Sequence, residues 1–192
     1  VRLGAAAGVV SVLLAQAPET TDSLGAALSR AQRTWTKQAA GGETTVLAYD
    51  RGVTALVGRA MELRATLVEA QVRTRELAAA TRALHSVPAD DLSGVGKVRH
   101  FERIADAEAA EQKARAEVVQ RCRLAVVTLA ELGGRVGGKI DTLSMAGQAC
   151  GADGGTSALC SNVAGALAMY EELQVAVRRE ESAMSTLCSP TW

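Results

Sequence analysis

The stretch from Val46 to Leu84, VLAYDRGVTALVGRAMELRATLVEAQVRTRELAAATRAL, decides the fold. Val46, Tyr49, Val53, Leu56, Ala60, Leu63, Leu67, Ala70, Thr74, Leu77, Thr81 and Leu84 step through it by three and four without a break. Arg59, Glu62, Arg64, Glu69, Arg73 and Glu76 fill the positions between them. One apolar stripe with a wet remainder is the signature of an amphipathic helix carrying a heptad seam. At 1.5 Å per residue such a helix is about 60 Å long.

Val87-Pro88 ends it, because a residue before proline is pushed out of the α region and proline cannot donate the helical hydrogen bond. Asp90, Asp91, Ser93, Gly94 and Gly96 supply a turn. From Lys97 the helical pattern resumes through Val98, Phe101 and Ile104, then runs to Val118, Leu124, Val127, Leu129 and Leu132. A turn of about ten residues returns this second helix antiparallel to the first. Its small side chains, Ala105, Ala107, Ala109, Ala110, Ala114 and Ala116, predict close approach of a neighbour, and His85 and His100 are placed as exposed residues flanking the turn.

Gly133-Gly134-Arg135-Val136-Gly137-Gly138 follows, and at about 1 kcal/mol per glycine relative to alanine it predicts a break or kink. A helix resumes over Ile140 to Ala149, and the glycine-rich interval from Cys150 to Cys160 reads as a loop. Val163, Ala166, Tyr170, Leu173, Val177, Met184 and Leu187 mark a last helix, with Glu180 its one misfit. Near the front, Thr21 and Asp22 offer caps to a short helix from Ser23 to about Ala40, with Trp35 as a staple. The fold class is all-α: an elongated bundle built on long antiparallel, coiled-coil-like helices with a disulfide-closed loop.

Composition agrees with this reading. Apolar residues make up 48% of the 192-residue chain but aromatic residues only 3%, so the core is built from Ala, Val and Leu, as in close-packed helices. The length suits one domain, placed at residues 18–192. Residues 1–17 read as a secretory signal peptide, since Arg2 precedes an apolar run and Ala15-Gln16-Ala17 is a small-residue cleavage site before Pro18. The abrupt end at Trp192 reads as a truncation. Lys plus Arg and Asp plus Glu both total 21, so the chain carries no basic footprint for nucleic acid.

Cys122, Cys150, Cys160 and Cys188 contain no CxxC pair, and the chain has two histidines, so disulfides are expected and a metal site is not. Cys150 and Cys160 are centred on residue 155, and so are Cys122 and Cys188. In a hairpin folded about that point, equal rise per residue brings both pairs level, which predicts the nested pairing of Cys122 with Cys188 and Cys150 with Cys160. The alternative is coincidence, should the glycine run shift the register.

No residue pattern states a reaction. Gly133 to Lys139 has the GxxxxGK spacing of a phosphate loop, but Ile140 stands where a magnesium-binding Ser or Thr is needed, and no strand alternation supports it. Glu171 and Glu172 diverge by about 100° on a helix and cannot share a proton. No catalytic residues and no cofactor are expected, and an enzyme is disfavoured.

The signal-like start, the two long helices, the Ala-rich interior, then GGRVGGKIDTLSMAGQAC and the loop CGADGGTSALC together resemble the N-terminal domain of African trypanosome variant surface glycoproteins, or a related trypanosome helical-bundle receptor. Gly138-Lys139-Ile140-Asp141 with Cys150 soon after is the nearest local motif. The chain departs from that family in having no cysteine before Cys122, and Asn162, its only asparagine, is followed by Val163-Ala164 and makes no glycosylation sequon. The resemblance implies a cell-surface glycoprotein, lipid-anchored through a segment outside this one, that dimerises with itself, packs side by side and evades host antibodies. Alternatives are a surface receptor for a host protein or nutrient, with Asp153, Thr156 and Ser157 of the loop as its contact candidates, and a secreted helical scaffold or adhesin.

Overall fold

A computed structural model describes residues 24–34, 50–88, 92–152 and 158–189. Val46, Tyr49, Thr21, Asp22, Trp35, Asp90, Asp91, Trp192 and residues 1–17 lie outside the described residues. The fold is all-α: a helical stretch over 24–34 (α1) is followed by Arg51–His85 (α2), Gly94–Ala152 (α3) and Ala158–Cys188 (α4), packed on one another with no strand among the described residues. The chain divides into two compact units.

Unit 1 gathers α1, the first turns of α2, residues 126–152 of α3 and α4 as far as Thr186. Each helix contributes one stripe to its core. Leu24, Ala27 and Ala31 come from α1; Val53, Leu56, Val57 and Ala60 from α2; Leu129, Leu132, Val136 and Leu143 from α3; and Val163, Ala166, Tyr170, Leu173, Val177 and Met184 from α4. The three-and-four spacing is what puts each set on one face. Glu180 is buried as well, so the polar residue that breaks the apolar pattern of α4 still occupies the seam.

Unit 2 holds residues 62–125 and the chain from Leu187 onward. Its interior is thinner and more polar. Leu67, Ala70, Ala114, Val118 and Ala125 are buried beside Arg64, Gln71, Thr74, Thr81 and His100. The two threonine hydroxyls donate to carbonyls of their own helix, Thr74 to Ala70 at 2.8 Å and Thr81 to Leu77 at 3.0 Å, so neither is stranded. The Gln71 side-chain amide donates to the Leu187 carbonyl.

The second long helix starts at Gly94, not Lys97, because Ser93 caps it: Oγ accepts from the Gly96 amide at 3.3 Å and the Ser93 carbonyl from the Lys97 amide at 2.8 Å. It does not break at Gly133-Gly134 or Gly137-Gly138 but runs unbroken to Ala152. Glycine propensity is a weak local prior, and the buried stripe Leu129, Leu132, Val136 and Leu143 continues across the glycines and overrides it. Helix also passes through both Cys150 and Cys160, so the interval between them is less loop than its composition suggests.

Burial on the first half of α3 also differs. Val98 and Phe101, placed in the core by spacing, are each 58% exposed. Of the alanines expected to pack closely, Ala114 is buried, whereas Ala105, Ala109, Ala110 and Ala116 are exposed. His100 is buried instead of exposed, whereas His85 is exposed as expected and meets Glu108 at 2.9 Å. Arg64, expected on the wet side of α2, is buried too. Val98, Phe101, the exposed alanines and His100 share one cause: this part of α3 carries apolar residues on two faces, and spacing alone does not say which face turns inward.

Candidate functional site

The most developed polar arrangement among the described residues is built on the first turn of α2 in unit 1. A helix start leaves backbone N–H groups without partners. Asp50 supplies them: its Oδ1 accepts from the Gly52 amide at 2.8 Å and the Val53 amide at 3.3 Å, and its carbonyl accepts from the Thr54 amide at 3.2 Å. A carboxylate at this end also opposes the positive pole of the helix.

Arg135 and Lys139 reach the same carboxylate from one face of α3, where a spacing of four places them one turn apart. Arg135 Nε donates to Oδ1 at 3.1 Å and to Oδ2 at 3.0 Å, and Lys139 Nζ lies 3.9 Å from Oδ2. Gly52 makes this possible. A Cβ there would stand 2.3 Å from the Arg135 Cζ, so any other residue would occupy the space of the guanidinium.

Tyr170 brings α4 into the same electrostatic neighbourhood. Burial pushes its phenol far above the ordinary range, the negative charge of Asp50 pushes the same way, and Arg135 offsets only part of this. For Asp50, burial acts to raise the carboxyl, but the hydrogen bonds from Arg135, Gly52 and Val53 and the Arg135 charge outweigh it, leaving it below its usual range. The hydrogen bond and charge of Asp50 in turn raise Arg135. At neutral pH the carboxylate is thus held charged, the guanidinium charged and the phenol neutral. Such a cluster fixes charge in place; none of these three groups is shifted toward neutrality, where proton transfer is most effective.

The cysteines form the second arrangement. Cys122 is bonded to Cys188 with Cα atoms 5.7 Å apart, and Cys150 to Cys160 at 5.6 Å, so all four are bridged. Within unit 1, a Cβ on Gly147 would meet Val163 at 3.9 Å, and one on Gly133 would meet Glu181 at 3.6 Å and Val177 at 3.8 Å. Gly147 with Val163 is centred on residue 155, as Cys150 with Cys160 is, and Gly133 meets two residues of α4 at centres of 155 and 157.

The GxxxxGK segment is not a phosphate loop. Gly133 to Lys139 lies inside α3, where backbone N–H groups are committed to carbonyls four residues earlier, and its two basic side chains are turned to Asp50. The candidates Asp153, Thr156 and Ser157 lie outside the described residues. Among the described residues no group of three His, Cys, Asp or Glu is arranged to hold a metal ion, and no helix is long and apolar enough to cross a membrane.

Sequence reading missed Asp50 and Gly52. The signal was present, an aspartate just ahead of a periodic apolar run, but Val46 and Tyr49 extend the same periodicity upstream and hid the true start. Compared with protein-family models, curated proteins and solved structures, the chain matches none of them.

Proposed function

We propose that the chain is the helical ectodomain of a non-enzymatic cell-surface coat protein, of the kind the resemblance to variant surface glycoproteins implies. The observation that carries the reading is the pair of nested bridges with a shared centre at residue 155. Bridging of all four cysteines suits an oxidising, extracellular setting, where such bonds persist. On this reading residues 1–17 are removed on secretion, the protein dimerises with itself, and an anchor outside this segment holds it to the outer face of the plasma membrane. Its task is to shield the cell and to evade host antibody, with no cofactor, no metal and no nucleic acid involved.

The receptor alternative has one observation in its favour. Val95, Val98 and Phe101 project from successive positions three apart at the start of α3, all exposed, and a cluster of that kind fits a protein partner.

Antibody raised against this chain and applied to intact cells of its source tests the reading. A dense surface signal, released by a phospholipase that cleaves glycolipid anchors, is expected; signal only after permeabilisation sinks it. Stoichiometric capture of one host protein from serum by the purified chain would replace the coat with the receptor.

A further inference from the structure

All four cysteines are bridged, so the sulfur left open to oxidation in this chain is methionine sulfur. The four methionines, Met61, Met145, Met169 and Met184, all lie in described helices, and their burial is graded. Met184 is 1% exposed in the core of unit 1, and Met169 is half-buried. Met61 is 36% exposed and Met145 is 71% exposed, more than any other large apolar side chain among the described residues.

Exposure is not the only difference. A Cβ on Gly25 would stand 3.2 Å from Met61 Cε and 3.4 Å from its Sδ, so that thioether lies against the backbone of α1. Met145 has no such cover from its own helix. Asp141, Thr142, Gln148 and Ala149, one turn away on either side, are themselves exposed, and the buried Val136 and Leu143 belong to the opposite face of α3.

We propose that Met145 is the site at which this chain takes up a two-electron oxidant of the peroxide class, and that it does so without cost to the fold. A sulfur lone pair attacks one oxygen of hydrogen peroxide, the O–O bond breaks, and the other oxygen leaves as water. The thioether is oxidised by two electrons to the sulfoxide, and the peroxide is reduced by two. A sulfoxide is polar, which a core does not tolerate and a solvent-facing side chain does. Met145 thus accepts oxidant ahead of Met61, which packs on α1, and ahead of Met184, whose sulfoxide would open the core. This role depends on burial and on bridged cysteines alone, and it holds under the coat and receptor readings alike.

Graded hydrogen peroxide added to the whole chain at neutral pH, with each methionine followed by peptide mass spectrometry, tests it. Met145 should convert first, with Met61 and Met169 roughly threefold to tenfold slower and Met184 slowest of all. Urea should bring the four to one rate, because the order comes from burial and not from local sequence. The protein oxidised at Met145 alone should keep the urea midpoint of the parent. In Met145→Leu, a swap that conserves volume at an exposed position, substoichiometric peroxide should oxidise Met61 and Met169 instead. Conversion of another methionine before Met145, one common rate in the folded chain, a lowered midpoint once Met145 is oxidised, or unchanged oxidation of Met61 and Met169 in Met145→Leu overturns the proposal.

Discussion

Removing each bridge in turn separates what the two contribute. The Cys122–Cys188 bond closes a sequence separation of 66 residues and the Cys150–Cys160 bond one of 10. Loop-closure entropy of the denatured chain gives about 4 kcal/mol for the first and about 3 kcal/mol for the second. The inner bridge short-circuits part of the outer loop, but the dependence on length is logarithmic and the correction is only about 0.1 kcal/mol. Cys122→Ala with Cys188→Ala is therefore expected to cost more than Cys150→Ala with Cys160→Ala, by roughly 1 to 1.5 kcal/mol. Urea unfolding followed by circular dichroism measures both. Because the effect acts on the denatured chain, the slope of stability against urea should also rise, and more for the outer pair, as a less constrained chain exposes more surface. If the inner pair costs as much as the outer one with slopes unchanged, the bridges stabilise native packing and the argument from chain length is wrong.

Replacing Gly134, Gly137 and Gly138 together by alanine should stabilise the protein by about 2 kcal/mol, since all three are helical and an added Cβ meets nothing within 4 Å; urea unfolding again gives the value. The same change at Gly52 should gain little or nothing in stability, because its Cβ displaces Arg135; the Asp50 carboxyl, followed by carbon-13 NMR, should then titrate nearer its ordinary range. Asp50→Ala should cost about 1 to 2 kcal/mol through the lost cap alone. The folded-state pKa of Asp50 lies below its unfolded value, so its charge contributes fully above the unfolded pKa and the contribution is lost as pH falls through the folded one. The stability gap between the parent and Asp50→Asn, constant near neutrality, should thus close below about pH 4, and a gap that widens on acidification would contradict the cluster.

Periodicity made the seam of α2 and that of α4 legible, because a stripe at three-and-four spacing identifies the buried face wherever a helix has only one. Val53, Leu56, Ala60, Leu67 and Ala70 are all buried as the spacing predicts. The same rule failed for Val98 and Phe101, since α3 carries apolar residues on two faces and the choice between them is made by the partner helix. The nested bridges were readable from a shared midpoint, which needs only equal rise on both sides. Of the Asp50 cluster almost nothing was readable. Asp50 and Arg135 are 85 residues apart, and neither one's neighbours announce the other.

Contacts from outside the segment explain why the glycine run is helical. Intrinsic propensity is lowest over Gly133 to Gly138, so this segment of α3 is helical on condition that something outside it supplies the missing stability. Two supports are visible. Leu132 and Val136 are sealed into the core of unit 1, and Arg135, held by Asp50, ties the outer part of the same turn to the start of α2. The two supports differ in kind: burial resists pH and salt, whereas the ion pair weakens with both. Acid or high salt should therefore loosen the glycine run by the share the ion pair contributes and leave the apolar share intact. Gly52 belongs to this support too, because a side chain there would displace the guanidinium from its place on the carboxylate.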